Sequence, residues 1–88
     1  MEVLVGSVVR SLAGHDKGGY FIVLKINCDC AYLADGKLRK AESPKKKKLK
    51  HIQRSGIISQ EIAAKLQSGE TVENFEVRKA LAELVRTN

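Results

Sequence analysis

Apolar residues crowd two stretches near the start of the chain, residues 1–11 and Tyr20–Asn27, both dense in Val, Ile and Leu, with Gly14, Gly18 and Gly19 between them. Such density on either side of a glycine-bearing break predicts two strands joined as a hairpin. In the second stretch Tyr20, Ile22, Leu24 and Ile26 fall on one face and Phe21, Val23 and Lys25 on the other. Both faces therefore start apolar and one turns polar, the pattern of a strand curving round a small barrel. Residues 28–34 predict a third strand with Cys28, Cys30 and Tyr32 sharing a face, and Asp35 with Gly36 supplies a tight turn into a fourth over residues 37–40. Pro44 then interrupts the chain, and residues 49–52 read as a closing strand.

Beyond this point the period changes. Ile58, Ile62 and Leu66 recur every four residues, with Ser59 placed to cap the first helical turn and Gly69 to end the last. Asn74 is placed to cap a second helix, in which Val77, Leu81, Leu84 and Val85 repeat at helical spacing and Arg86 sits at the negative end of the dipole. Helices this short depend on packing, so their apolar stripes need the sheet, each other or a partner. The expected architecture is mainly β: a five-stranded small barrel over residues 1–54, followed by a C-terminal α-helical hairpin over residues 55–88.

Length and charge sharpen this picture. Eighty-eight residues allow one small domain with little room for a large cleft. With two Phe, two Tyr and no Trp, the chain has little material for platforms that stack successive bases. Sixteen Lys and Arg against ten Asp and Glu give a net charge of +6, which favours polyanionic partners. The excess is concentrated: residues 1–36 and 55–88 each carry a net −1, whereas residues 37–54 carry +8. That stretch holds Lys37, Arg39, Lys40, Lys45, Lys46, Lys47, Lys48, Lys50 and Arg54 against Glu42 alone.

Several other chemistries find little support. No apolar run approaches membrane-spanning length and no export segment is evident, so a soluble, cytoplasmic protein is expected. Cys28 and Cys30 are spaced as i and i+2, which favours reduced thiols over a disulfide. A lone C-x-C pair is a weak zinc pattern, and neither a metal nor another cofactor is expected. Ser11, His15 and Asp16 lie too close in sequence for triad geometry, and residues 14–19 lack the order of a nucleotide-binding loop, so no enzymatic activity is expected.

The most specific feature is the loop segment, residues 8–23, where Arg10, Ser11, Gly14, His15, Lys17, Gly18 and Gly19 lie between apolar runs. Its glycines can take positive φ and bring backbone N–H groups close to a phosphate, with Arg10, His15 and Lys17 supplying charge beside them. This segment resembles the KOW motif. Asp35-Gly36-Lys37-Leu38-Arg39 and the run from Pro44 to Ile52 look like the later strands of small bacterial KOW-domain proteins and of archaeal and eukaryotic large-subunit ribosomal proteins of the fourteen-e type. The likeness spans residues 4–53. It implies an SH3-like barrel that docks on structured RNA, ribosomal RNA in particular, through phosphates.

The expected contacts are the loop residues just named together with Lys37, Arg39, Lys40, Lys45, Lys46, Lys47, Lys48, Lys50, His51 and Arg54. The alternative is a protein-interaction module that docks on a transcription or translation factor, its lysines serving solubility. Duplex DNA is a third, weaker candidate ligand.

Overall fold

A computed structural model describes residues 3–87, with side chains as far as Glu83. The chain is mainly β. Five strands, β1 (Ser7–Ser11), β2 (Tyr20–Asn27), β3 (Cys30–Ala34), β4 (Lys45–Lys48) and β5 (Ile52–Ile58), are followed by helices α1 (Gln60–Gln67) and α2 (Asn74–Thr87). The strands form one antiparallel sheet in the order β4-β3-β2-β1-β5, so β4 and β5 are its open edges.

Alternation along the strands gives the sheet two buried faces. Val9, Phe21, Val23, Ala31, Leu33 and Ile52 form one apolar cluster, on the concave side of the sheet. Val8, Ile22 and Ala34 point the other way and join Ile62, Val72 and Val77 from the helical region in a second. The sheet is strongly curled. Two strands separate β4 from β1, a span of about 14 Å in a flat sheet, yet Lys47 Nζ on β4 lies 2.8 Å from Ser11 Oγ on β1. A single 3-10 turn, Leu49–His51, links β4 to β5. It receives the hydrogen bond from Leu12 N–H at its His51 carbonyl and donates from Leu49 N–H to the Asp29 carbonyl, drawing the end of β1 toward the β2–β3 turn.

Caps and close approaches attach the helices. The Ser59 hydroxyl accepts from Ile62 N–H at the start of α1, as its position suggested, and Gly69 at φ +77° follows the last turn. Just before β1, Gly6 lies against α1: a Cβ there would come within 2.8 Å of Ala63 Cβ, and Gly6 also takes φ +85°. Its carbonyl accepts from Ser59 N–H at 2.9 Å. The two helices are joined by the Lys65–Glu76 ion pair at 2.8 Å.

Several sequence expectations are corrected. Residues 28–34 do not form one strand: Cys28 sits in the β2–β3 turn at φ +56°, and β3 begins at Cys30. Residues 37–40 form a turn, not a strand, because the Asp35 carboxylate accepts from both Lys37 and Arg39 N–H at 2.9 Å and folds the chain back. The fourth strand is instead the lysine run, and β5 continues to Ile58, across the expected boundary at residue 54.

The face assignment of β2 also changes. A register shift between Val23 and Lys25 places Ile26 with Phe21 and Val23, and turns Lys25 to the face of Tyr32. Asn74 does not cap its own helix. Its Oδ1 accepts from Ala41 N–H at 2.7 Å and its Nδ2 donates to Glu42 at 2.8 Å. The start of α2 is held instead by Glu76, whose carboxylate accepts from Glu73 N–H at 3.1 Å, half of a capping box. Val77 is buried as its spacing required. The side chains of Leu84, Val85 and Arg86 lie outside the described residues.

Candidate nucleic-acid interface

The loop between β1 and β2 is built by its own backbone. Lys17 N–H donates to the Gly14 carbonyl, Gly18 N–H to that of Ser11 and Gly19 N–H to that of Asp16, at 3.2, 2.8 and 3.0 Å. These three donors are therefore spent inside the loop. The glycines fold the loop, and on its outer side His15 and Lys17 are exposed, with Arg10 beside them on β1. Arg10 pairs in register with Tyr20, itself 43% exposed, so one cation and one aromatic ring stand together at the loop base.

One acid organises the inner side of this loop. Lys47 is only 8% exposed, and its ammonium donates to Ser11 Oγ at 2.8 Å, to the Ala13 carbonyl at 2.7 Å and to Asp16 Oδ1 at 2.5 Å. The Ser11 hydroxyl completes the cluster by donating to the same carboxylate at 2.9 Å. The other carboxylate oxygen accepts no hydrogen bond and faces the Lys45 ammonium at 4.0 Å. Burial alone would raise the Asp16 carboxyl, but hydrogen bonds from Lys47 and Ser11 and the charges of Lys47 and Lys45 outweigh it, holding the group below its ordinary value.

Two expected contact residues thus leave the surface. Lys47 is a buried ion-pair partner, and Ser11, fully buried, is a hydrogen-bonded link within the loop. Sequence reading overlooked Asp16 in this role. The clue was present: it is the acid of a basic, glycine-rich loop, and a buried lysine requires such a partner.

The remaining basic residues divide into groups. Lys37 and Lys40, with half-buried Arg39 between them, ride on the turn that Asp35 folds. That turn is anchored to α2 by the Asn74 bonds and by Arg78 Nη1 donating to the Gly36 carbonyl at 2.7 Å. Within this turn Glu42 is drawn below its usual carboxylate range, chiefly by the hydrogen bond from Asn74. Lys50 is exposed and His51 half-buried on the 3-10 turn, whose His51 carbonyl meets Leu12 N–H; Arg54 is exposed on β5. Lys46 and Lys48 alternate with the buried Lys47 and point to the opposite face of β4. Glycine loop and lysine run therefore do not make one continuous surface. Where they meet, Asp16 neutralises the lysines.

Cys28 is exposed at the turn, whereas Cys30 is buried, and burial first and the neighbouring Asp29 second push its thiol up. Among the described residues, no three His, Cys, Asp or Glu side chains gather as metal ligands, and no helix is long and apolar enough to cross a membrane. No protein-family model matches the chain, and no curated protein is significantly similar to it.

Proposed function

We propose that this chain is an RNA-binding protein of the ribosomal-protein type, docking on structured, ribosomal RNA through phosphates. The observation that carries the reading is the density of exposed cations over residues 37–54. Lys37, Lys40, Lys46, Lys48 and Lys50 are all exposed, and the single acid among them, Glu42, is already hydrogen-bonded to Asn74. The strand order, the curl of the sheet and the 3-10 turn before β5 support an SH3-like barrel of the KOW type as the scaffold. With the Lys17, Gly18 and Gly19 N–H groups bonded inside the loop, the main contacts are side chains: Arg10, His15 and Lys17 at the loop, and the cations just named. Base reading is a minor part, since the exposed aromatics are few.

Fluorescence anisotropy with a structured ribosomal RNA fragment over a salt series tests this. Five phosphate contacts give a slope of log K on log salt of about −4, at 0.7 to 0.9 per contact. A flat slope, or equal displacement by duplex DNA, overturns the reading.

A second reading rests on a groove of about 490 Å³ between β5 and the helices, in which Ile57, Ile58, Phe75 and Ala80 lie beside charged Glu61 and Lys79. Phe75 is 60% exposed and Ile57 and Ile58 37% each, more apolar surface than solubility calls for. On this reading the chain docks on a transcription or translation factor. Phe75→Asp abolishes function while leaving RNA affinity intact if the groove is the working surface.

A further inference from the structure

Lys25 lies outside the basic stretch of the sequence, and the fold brings it there. The register shift in β2 turns it to the face of Tyr32, opposite which Lys46 stands on β4. Lys25, Tyr32 and Lys46 thus form a row across three strands, with the Lys25 ammonium 5.6 Å from the centre of the Tyr32 ring. The next row on the same face is Asn27, Cys30 and Lys48. Lys48 and Lys46 are spaced by about 7 Å along β4, and Lys25 is two strands, about 10 Å, from Lys46.

These three ammonium groups share one sheet face, and no acid among the described residues pairs with any of them. Lys45 and Lys47 face Asp16, and Lys65 pairs with Glu76, whereas Lys25, Lys46 and Lys48 are exposed and have no ion pair among the described residues. The Asp29 carboxylate accepts a hydrogen bond from the Cys30 thiol at 3.4 Å. Three like charges on one sheet face repel one another, and the Tyr32 ring offsets only the charge of Lys25. A chain of phosphates removes that repulsion.

We infer that the outer face of β2, β3 and β4 is a second phosphate-binding surface for the RNA backbone, separate from the β1–β2 loop, with Lys25, Lys46 and Lys48 as its contacts. This rests on the RNA-binding reading and extends it. Five residue steps along β2 take the chain from Tyr20 at the loop base to Lys25, about 16 Å of strand, and Ile22 and Leu24 between them are covered by the helices. The chain therefore grips RNA at two places rather than along one stripe.

The test uses the full chain, a structured ribosomal RNA fragment and anisotropy over a salt series, with Lys25→Gln, Lys46→Gln and Lys48→Gln made singly and together. Lys79→Gln on α2 is the control, and thermal melting verifies folding. Each platform substitution weakens binding about fivefold at 0.1 M salt, and the triple variant makes the salt slope shallower by about 2 to 2.7. Lys25→Arg restores the loss. Lys25→Gln behaving like Lys79→Gln, while Arg10→Gln and Lys17→Gln still weaken binding, overturns the second surface and leaves the RNA reading standing. Failure of the unaltered protein to bind RNA in a salt-dependent way overturns both. Retained RNA affinity in the triple variant, with lost binding to anionic vesicles, assigns the face to a lipid surface and likewise sinks the inference.

Discussion

Asp16 shows how one side chain decides which of four identical neighbours enters the interior. Lys47 and Asp16 retain only 7% and 12% side-chain exposure, so removing one charge strands the other. Asp16→Asn is expected to cost about 3 kcal/mol in urea denaturation at neutral pH. Because the folded-state carboxyl lies below its ordinary value, the stabilisation is present above about pH 4 and is lost as pH falls through the folded value. The stability gap between the native chain and Asp16→Asn therefore closes in acid. Gly36 gives a second test at this scale. It takes φ +78°, and a Cβ there would sit 2.5 Å from the Asn74 carbonyl, so Gly36→Ala loses about 1 to 3 kcal/mol, read as a lower urea midpoint with unchanged slope. Neither contact was readable from local pattern, since each joins residues far apart in the chain.

The helices were legible as elements because period and caps agree: Ile62 is buried, Ser59 caps and Gly69 follows the last turn. The strands were legible only where type alternates with face. In β2 one irregularity of register moved Lys25 and Ile26 to faces that strict alternation denies them. In β4 the sequence has no alternation at all, although burial alternates, so four lysines read alike as contacts and not as a strand with one side chain buried. Asn74 illustrates the competing demand on a cap residue, whose side chain is taken by the 41–42 backbone and carboxylate instead. Asn74→Ala is expected to cost about 1 kcal/mol and to raise the hydrogen-exchange rate of the Ala41 amide, with α2 itself still formed. Equal protection of that amide in the variant contradicts the assignment.

For the molecule as a whole, the helical region is structural support as well as an appendage. Val8, Ile22 and Ala34 are buried because Ile62, Val72 and Val77 cover them, so a chain ending after Ser59 leaves this apolar patch of its sheet uncovered. Truncation there uncovers the apolar part of one sheet face, Val8, Ile22 and Ala34, and is expected to lose cooperative thermal unfolding and to bind a hydrophobic dye. Mainly-β character, two C-terminal helices and the concentration of charge were visible in the sequence; the division of that charge between an interior latch, a loop and an outer face was not, because it depends on which strand lies beside which. The uniformity of β4 carries a last consequence. A slide of two residues along β3 would put Lys45 where Lys47 now sits and Lys46 where Lys48 sits, so within the run lysine replaces lysine, and only Pro44 and Ser43, brought opposite Tyr32 and Leu33, mark the misalignment. The position of the run is imposed from outside, by the Asp16 berth at one end and by the grip of Asn74 on Ala41 upstream. With both removed, as in Asp16→Asn with Asn74→Ala, the edge strand is expected to populate a shifted alignment beside the native one, visible as doubled amide resonances for Lys45 to Lys48.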